Sequence, residues 1–193
     1  MPSLDAAVSA IERGELVVYP TETVYGLGAD ALDERAVSSV FEAKGRDRDR
    51  PISMAVPDLD SAAEYVHLGG RETAFATAFL PGPVTLVVQK RSVVPDALTG
   101  GRDRVGVRIP DHPIARDLLA QTGPLTATSA NPSGDRAPTT AAEIDPDIED
   151  AAVVLDGGRG SGAPSTVVDV EQREIHRPGA AADAVREWLQ AEE

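Results

Sequence analysis

Three stretches carry residue types whose spacing could do chemistry. Lys44-Gly45-Arg46-Asp47-Arg48-Asp49-Arg50-Pro51 places four cations within seven residues and uses one of only two lysines, Lys44 and Lys90, in the chain. Positive charge packed between a helix end and a strand start suits phosphate binding; the alternative is an exposed turn whose arginines pair with Asp47 and Asp49, worth little energetically. Leu16-Val17-Val18-Tyr19 ends at Pro20 and runs into Thr21-Glu22-Thr23 before Gly26 and Gly28. Hydroxyls, a carboxylate and glycines at a strand end mark either an ordinary turn or a place where a ligand approaches the backbone. Pro124-Leu125-Thr126-Ala127-Thr128-Ser129-Ala130-Asn131-Pro132-Ser133-Gly134 repeats that order, and two such ends in one sheet favour a shared pocket.

Arg108 interrupts the apolar run Val105-Gly106-Val107-Arg108-Ile109, so it either faces solvent or projects into a site where it can grip a carboxylate in two-pronged fashion. The glycine-rich Asp156 to Pro164 segment fits a linker, a lid or a closure over ligand. Neither GxxxxGK[ST] nor GxGxxG occurs, and no Ser-His-Asp order, histidine cluster or recognisable acid pair stands out. His112 reads as a capping or first-turn residue, since His67 and His176 are not at metal-ligand spacing from it. This inventory suits anion and nucleotide binding, with catalysis by positioning and charge neutralisation.

These groups need elements to hold them. Ser3 caps a helix through Ala6 to Ile11 that ends at Gly14, and Asp33 caps a second, with Ala36, Val37, Val40 and Phe41 on one face, that stops near Gly45. Strands are expected at 16–19, 52–56, 85–89, 105–110, 124–128, 151–155, 165–170 and ending at 177; helices at 58–65, 71–79, from 111 or 112 through Leu119, at 139–144 with Thr139 as cap, and at the C-terminus through Ala184, Val185, Trp188 and Leu189. The Gly26/Gly28 segment reads as a turn and 90–103 as loop. Strands outnumber what a simple βαβ array needs, so the expected fold is α/β (α+β): a twisted mixed β-sheet with helices packed on its faces, in one domain over 1–193.

Composition narrows the setting. Acidic residues outnumber basic ones 32 to 18, for a net charge of −14, and arginine has almost replaced lysine, as on a surface suited to high salt. Such a chain does not favour a nucleic-acid groove. Without cysteine, disulfides, zinc-thiolate sites and thiol catalysis are excluded. No run of about 18 apolar residues exists and the N-terminus lacks the pattern of a signal peptide, so a cytoplasmic protein without membrane attachment is expected.

Tyr19-Pro20-Thr21-Glu22-Thr23-Val24-Tyr25-Gly26-Leu27-Gly28, Lys44-Gly45-Arg46 with Pro51, Pro81-Gly82-Pro83-Val84-Thr85, Val107-Arg108-Ile109-Pro110, Ser129-Ala130-Asn131, Pro164-Ser165-Thr166-Val167-Val168-Asp169 and Arg177-Pro178-Gly179 stand in the order seen in the YrdC-like family, which the chain resembles over nearly its whole length. The resemblance implies the YrdC-like fold, in the short form without the extra C-terminal domain of longer members. It implies an ATP-dependent nucleotidyltransferase that makes L-threonylcarbamoyl-AMP and pyrophosphate from L-threonine, bicarbonate and ATP, with Mg²⁺ accompanying the triphosphate. A separate threonylcarbamoyl transferase would then modify adenosine 37 of tRNAs reading codons that begin with A. By position, Thr23, Arg108 and Ser165 would hold threonine, with Tyr25 and Glu22 as second choices beside Thr23. Lys44, Arg46, Ser129 and Arg177 would hold ATP, joined by Arg50 and Asn131. Lys44 and Arg46 would neutralise charge at the reacting phosphate, and Glu22 would help order the metal. The chain departs from the family at Asp47, where proline is common, at Arg50, where a small polar residue is usual, and at Ala55, where longer members often have histidine. The alternative is an inactive or altered-substrate relative acting as an RNA-binding module, for which one basic cluster and 4% aromatic residues offer few contacts.

Overall fold

Local capping chemistry sets the first helices of the computed structural model, which describes residues 2–191. The Ser3 hydroxyl accepts the Ala6 N–H at 3.2 Å and starts α1 (Leu4–Glu12). After β1 (Leu16–Tyr19) and β2 (Gly26–Gly28), the Asp33 carboxylate accepts the Arg35 N–H at 2.8 Å and starts α2 (Glu34–Lys44). Gly45, in the left-handed region at φ 54°, ends it. The chain continues through β3 (Ser53–Ala55), α3 (Leu59–Ala62), β4 (Val66–His67), α4 (Gly70–Phe79), β5 (Val84–Lys90), α5 (Asp96–Thr99), β6 (Arg104–Arg108), α6 (Pro113–Thr122) and β7 (Leu125–Ser129). A 3-10 turn (Ala141–Glu143), α7 (Pro146–Ala151), β8 (Ala152–Val154), β9 (Thr166–Asp169), β10 (Glu174–Arg177) and α8 (Ala182–Ala191) complete it.

The strands form one mixed sheet in the order β10-β9-β5-β6-β3-β7-β2-β1-β8, with β4 on the distal part of β5. β1/β8, β3/β6 and β5/β9 are parallel and the other pairs antiparallel. Strand alternation sends Met54, Leu86, Val88, Val105, Val107 and Val168 to one face, where they pack with Val37, Val40 and Phe41 of α2, Phe75 of α4, Leu98 of α5, Ile148 of α7 and Val185 of α8. On the other face α1 and α6 pack with Val17, Tyr19, Ala55 and Leu125, with Ala127 and Val153 partly buried beside them. The rest of that face is the floor of a cavity.

The expected mixed sheet with helices on its faces is observed. Several boundaries differ. Gly26 to Gly28 is a strand and not a turn, because its glycines make room for an aromatic ring: a Cβ on Gly26 or Gly28 would lie 2.9 or 2.8 Å from the Tyr19 ring. The Tyr19 hydroxyl donates to the Thr126 carbonyl, and burial pushes its pKa up to about 12. The 90–103 stretch holds α5, closed by Gly100 in the left-handed region. The 58–65 helix is one turn, α3. The cap of the 3-10 turn is Thr140; Thr139 instead receives the Glu143 carboxylate on both its N–H (2.7 Å) and hydroxyl (2.8 Å). α7 and β4 are too short for periodicity to reveal.

Candidate functional site

The uncovered sheet face opens into a cavity of about 910 Å³. Its floor follows the period-two rule: Thr85 and Val87 from β5, Arg104, Gly106 and Arg108 from β6, Ser53 and Ala55 from β3, Ala127 and Ser129 from β7, and Ser165, Val167 and Asp169 in and before β9. Gly106 keeps the floor low, since a Cβ there would lie 2.4 Å from the Ser53 hydroxyl.

At one end the Thr21-Glu22-Thr23 loop meets the C-terminal end of β6. Arg108, only 9% exposed, points inward. Its Nη2 donates to Thr23 Oγ1 at 2.7 Å, Glu22 Oε1 at 2.8 Å and Thr21 Oγ1 at 3.3 Å, while its Nε is buried without a partner. Thr21 organises the loop: its Oγ1 donates to the Val24 carbonyl at 2.6 Å and accepts the Thr23 and Val24 N–H groups. Across the floor the Ser165 hydroxyl lies 2.9 Å from that of Thr85 and accepts from Arg177 Nη2 at 3.0 Å; Arg177 also donates to the Ser165 carbonyl. Hydroxyls beside an inward-pointing arginine, a side chain able to grip a carboxylate, form a pocket suited in its chemistry to a small polar amino acid.

The second corner lies where α2 ends beside β3 and β7. Arg46 folds over its own loop, Nε donating to the Arg50 carbonyl and Nη2 to that of Pro51, both at 3.1 Å. Burial first, then the charges of Arg50 and Arg177, lower its pKa. Lys44 stands behind this corner. It is 3% exposed, absent from the cavity wall, and donates from Nζ to the carbonyls of Ser129 at 2.5 Å and Asn131 at 2.6 Å. Burial, assisted by Arg46, brings its pKa down to about 8. The Asn131 amide donates to the Pro132 and Asp135 carbonyls while its Oδ1 is buried without a partner. Exposed Arg50 reaches Ser133 at 3.5 Å. The alternative reading, in which these arginines pair with Asp47 and Asp49, is not seen among the described residues; Arg48 pairs with Glu42.

The cavity thus brings together Arg46, Arg108, Ser129, Ser165 and Arg177 from the residues singled out in the sequence. Thr23, fully buried, serves behind Thr21, which does line the wall and was overlooked along with Thr85. Both are hydroxyl residues at strand ends beside picked ones, the only signal available for them. Glu22 accepts from Arg108 on one oxygen and from the Asp111 N–H, at 3.2 Å, on the other. Tyr25 turns away into the 156–164 loop, its hydroxyl donating to Asp156 and the Gly158 carbonyl and accepting the Gly157 N–H. That loop lies against the threonine loop: Gly162 donates to the Thr23 carbonyl at 2.8 Å and Ser161 to that of Glu22 at 3.0 Å. No group of three or more potential metal ligands clusters among the described residues, nor is any helix there long and apolar enough to cross a membrane.

Comparison with known proteins places the chain among relatives. The Sua5/YciO/YrdC family model, described as "Telomere recombination", matches residues 9–179. A threonylcarbamoyl-AMP synthase of Pyrococcus abyssi is 42% identical over 170 residues, covering 86% of this chain, which spans only half the length of that relative. One from Xanthomonas campestris is 36% identical over 183 residues, covering 91% of this chain and 97% of its own. A crystal structure of P. abyssi Sua5 complexed with L-threonine superposes with a TM-score of 0.87 at 41% identity, over 91% of this chain and 54% of that one.

Proposed function

Since the chain belongs to the Sua5/YciO/YrdC family, we propose that it forms L-threonylcarbamoyl-AMP from L-threonine, bicarbonate and ATP. The observation that carries the reading is the single cavity onto which a carboxylate grip, Arg108 with its hydroxyl neighbours, and a phosphate-type corner, Arg46 with Ser129 and Arg177, both open. The relatives named threonylcarbamoyl-AMP synthase and the relative complexed with L-threonine support it.

In this reading the amino acid's carboxylate sits on Arg108 and its hydroxyl among Thr21, Thr85 and Ser165. Hydrogen bonds to that hydroxyl reject valine, which would leave them unpaired. The threonine amine and bicarbonate give an N-carboxylate: the N–C bond forms as a bicarbonate C–O bond breaks, and the oxygen leaves as water with one proton from the amine. Its oxygen attacks the α-phosphorus, forming one P–O bond as the bond to the β-phosphate oxygen breaks and pyrophosphate departs. Two anions must meet, so Arg46 and Arg177 at the wall and the Lys44 charge behind it lower the repulsion and stabilise the leaving group. Lys44 has a second task, holding the Ser129 and Asn131 backbone against the end of α2, while Arg50 reaches the same loop at Ser133. Mg²⁺ enters with the nucleotide as part of the substrate, carried by phosphate and water oxygens. The adenylate would pass in the cytoplasm to a transferase that modifies adenosine 37 of tRNA.

The test is pyrophosphate release by the full chain with each substrate omitted in turn. Release that requires threonine, bicarbonate and ATP together is expected; release indifferent to threonine and bicarbonate would overturn the reading.

A further inference from the structure

We propose that Glu22 is a positioning residue for the amino-acid substrate, setting the guanidinium of Arg108 at the angle the substrate's carboxylate requires. This rests on the reading that Arg108 holds that carboxylate. Arg108 reaches the cavity from the last position of β6, on a flexible side chain that would lose much rotamer freedom when fixed. Three acceptors converge on its Nη2, and only that of Glu22 is charged. The same carboxylate spends its other oxygen, Oε2, on the backbone N–H of Asp111, three residues beyond Arg108. Glu22 therefore braces both flanks of the pocket, the loop after β1 and the chain leaving β6. The bonds within the chain are all made by Nη2, so Nη1 remains as a donor for a ligand, while Nε is buried without a partner.

The geometry demands a glutamate. Both oxygens accept, and both partners are N–H donors; glutamine supplies one acceptor and sets its own amide hydrogens against either the guanidinium or the Asp111 N–H. Aspartate, one methylene shorter, cannot span the two. A simpler role, neutralising a buried cation, makes the opposite forecast: removing a negative charge beside Arg108 would then strengthen its hold on an anion.

The experiment is the threonine dependence of pyrophosphate release by the full chain at saturating ATP and bicarbonate, for wild type, Glu22→Gln and Glu22→Asp, with the ATP dependence measured in parallel. A wild type without threonine-dependent release would fail the proposed function itself. Given an active wild type, both variants are expected to raise KM for threonine by on the order of tenfold or more while KM for ATP stays within about twofold. Should Glu22→Gln fail to fold, Glu22→Asp carries the test alone. An unchanged or lowered KM for threonine, or a parallel rise in both KM values, overturns the inference.

Discussion

The ammonium of Lys44 lies 2.6 Å from the carbonyl oxygen of Asn131, clasping the loop after β7 to the end of α2. A second bond runs to the Ser129 carbonyl, and the Ser133 N–H returns the contact by donating to the Lys44 carbonyl at 2.7 Å. From the sequence alone, an ammonium at a helix end would be expected to matter to turnover and hardly to folding.

The structure changes that forecast. Lys44→Ala strands the Asn131 carbonyl, leaves that of Ser129 with only the Asn131 N–H and opens a void, so it is expected to destabilise the fold by about 2–4 kcal/mol besides abolishing most turnover. Urea unfolding midpoints of wild type and variant, set beside their rates, check this. A variant as stable as wild type would show that the clasp contributes nothing.

The depressed pKa of Lys44, about 8, adds a pH dependence. Neutral lysine still has two hydrogens for its two carbonyls, so the loop stays while the charge is lost. KM for ATP is therefore expected to rise as pH passes through 8, and Lys44→Arg, which stays charged, should flatten the profile. The stability linkage runs the other way. Because the folded value is below the unfolded one, this group's contribution is least below pH 8 and grows between about 8 and the ordinary 10.5.

Ser165→Ala removes the hydroxyl shared by Thr85 and Arg177 but leaves Arg177 its bonds to the Ser165 carbonyl. Threonine KM is expected to rise about tenfold, with a stability loss of about 1 kcal/mol. Steady-state kinetics and a melting curve on one preparation decide it.

Gly160 has no space for a side chain: a Cβ would lie 2.4 Å from the Thr23 carbonyl oxygen, which is backbone and cannot swing aside. Gly160→Ala should therefore pry the 156–164 loop from the threonine loop. Faster proteolytic nicking between 156 and 164, together with weaker threonine dependence, is the expected outcome; unchanged cleavage would show that the two loops part without cost.

Features decided within a few residues were legible in the sequence. Ser3 and Asp33 as caps, Gly45 as a helix stop, and the buried strand before Pro20 need only local chemistry. The pocket end at Arg108 was open between two directions, because the same apolar run admits either face. What decides it is pairing: β6 sits between β5 and β3, with its odd-side neighbours Thr85 and Ser53 facing the same uncovered half of the sheet. The bracing role of Glu22 depends on Asp111, 89 residues away, and the work of Lys44 on carbonyls more than 80 residues away, so neither could be read from spacing. Glycines 26 and 28 look in sequence like room for a ligand, yet the room is filled by Tyr19.

The guanidinium-lined cavity sits inside a chain of net charge −14. A nucleotide with several negative charges is repelled at a distance and attracted only after entry. In dilute buffer the exterior acts as an electrostatic gate, slowing capture of small anions. At 1 M salt the screening length shrinks to about 3 Å, which silences the exterior while sparing contacts made in the interior. Ionic strength thus becomes an activator of the encounter step, and the acidity that keeps the surface hydrated also ties the rate of anion capture to a saline solvent.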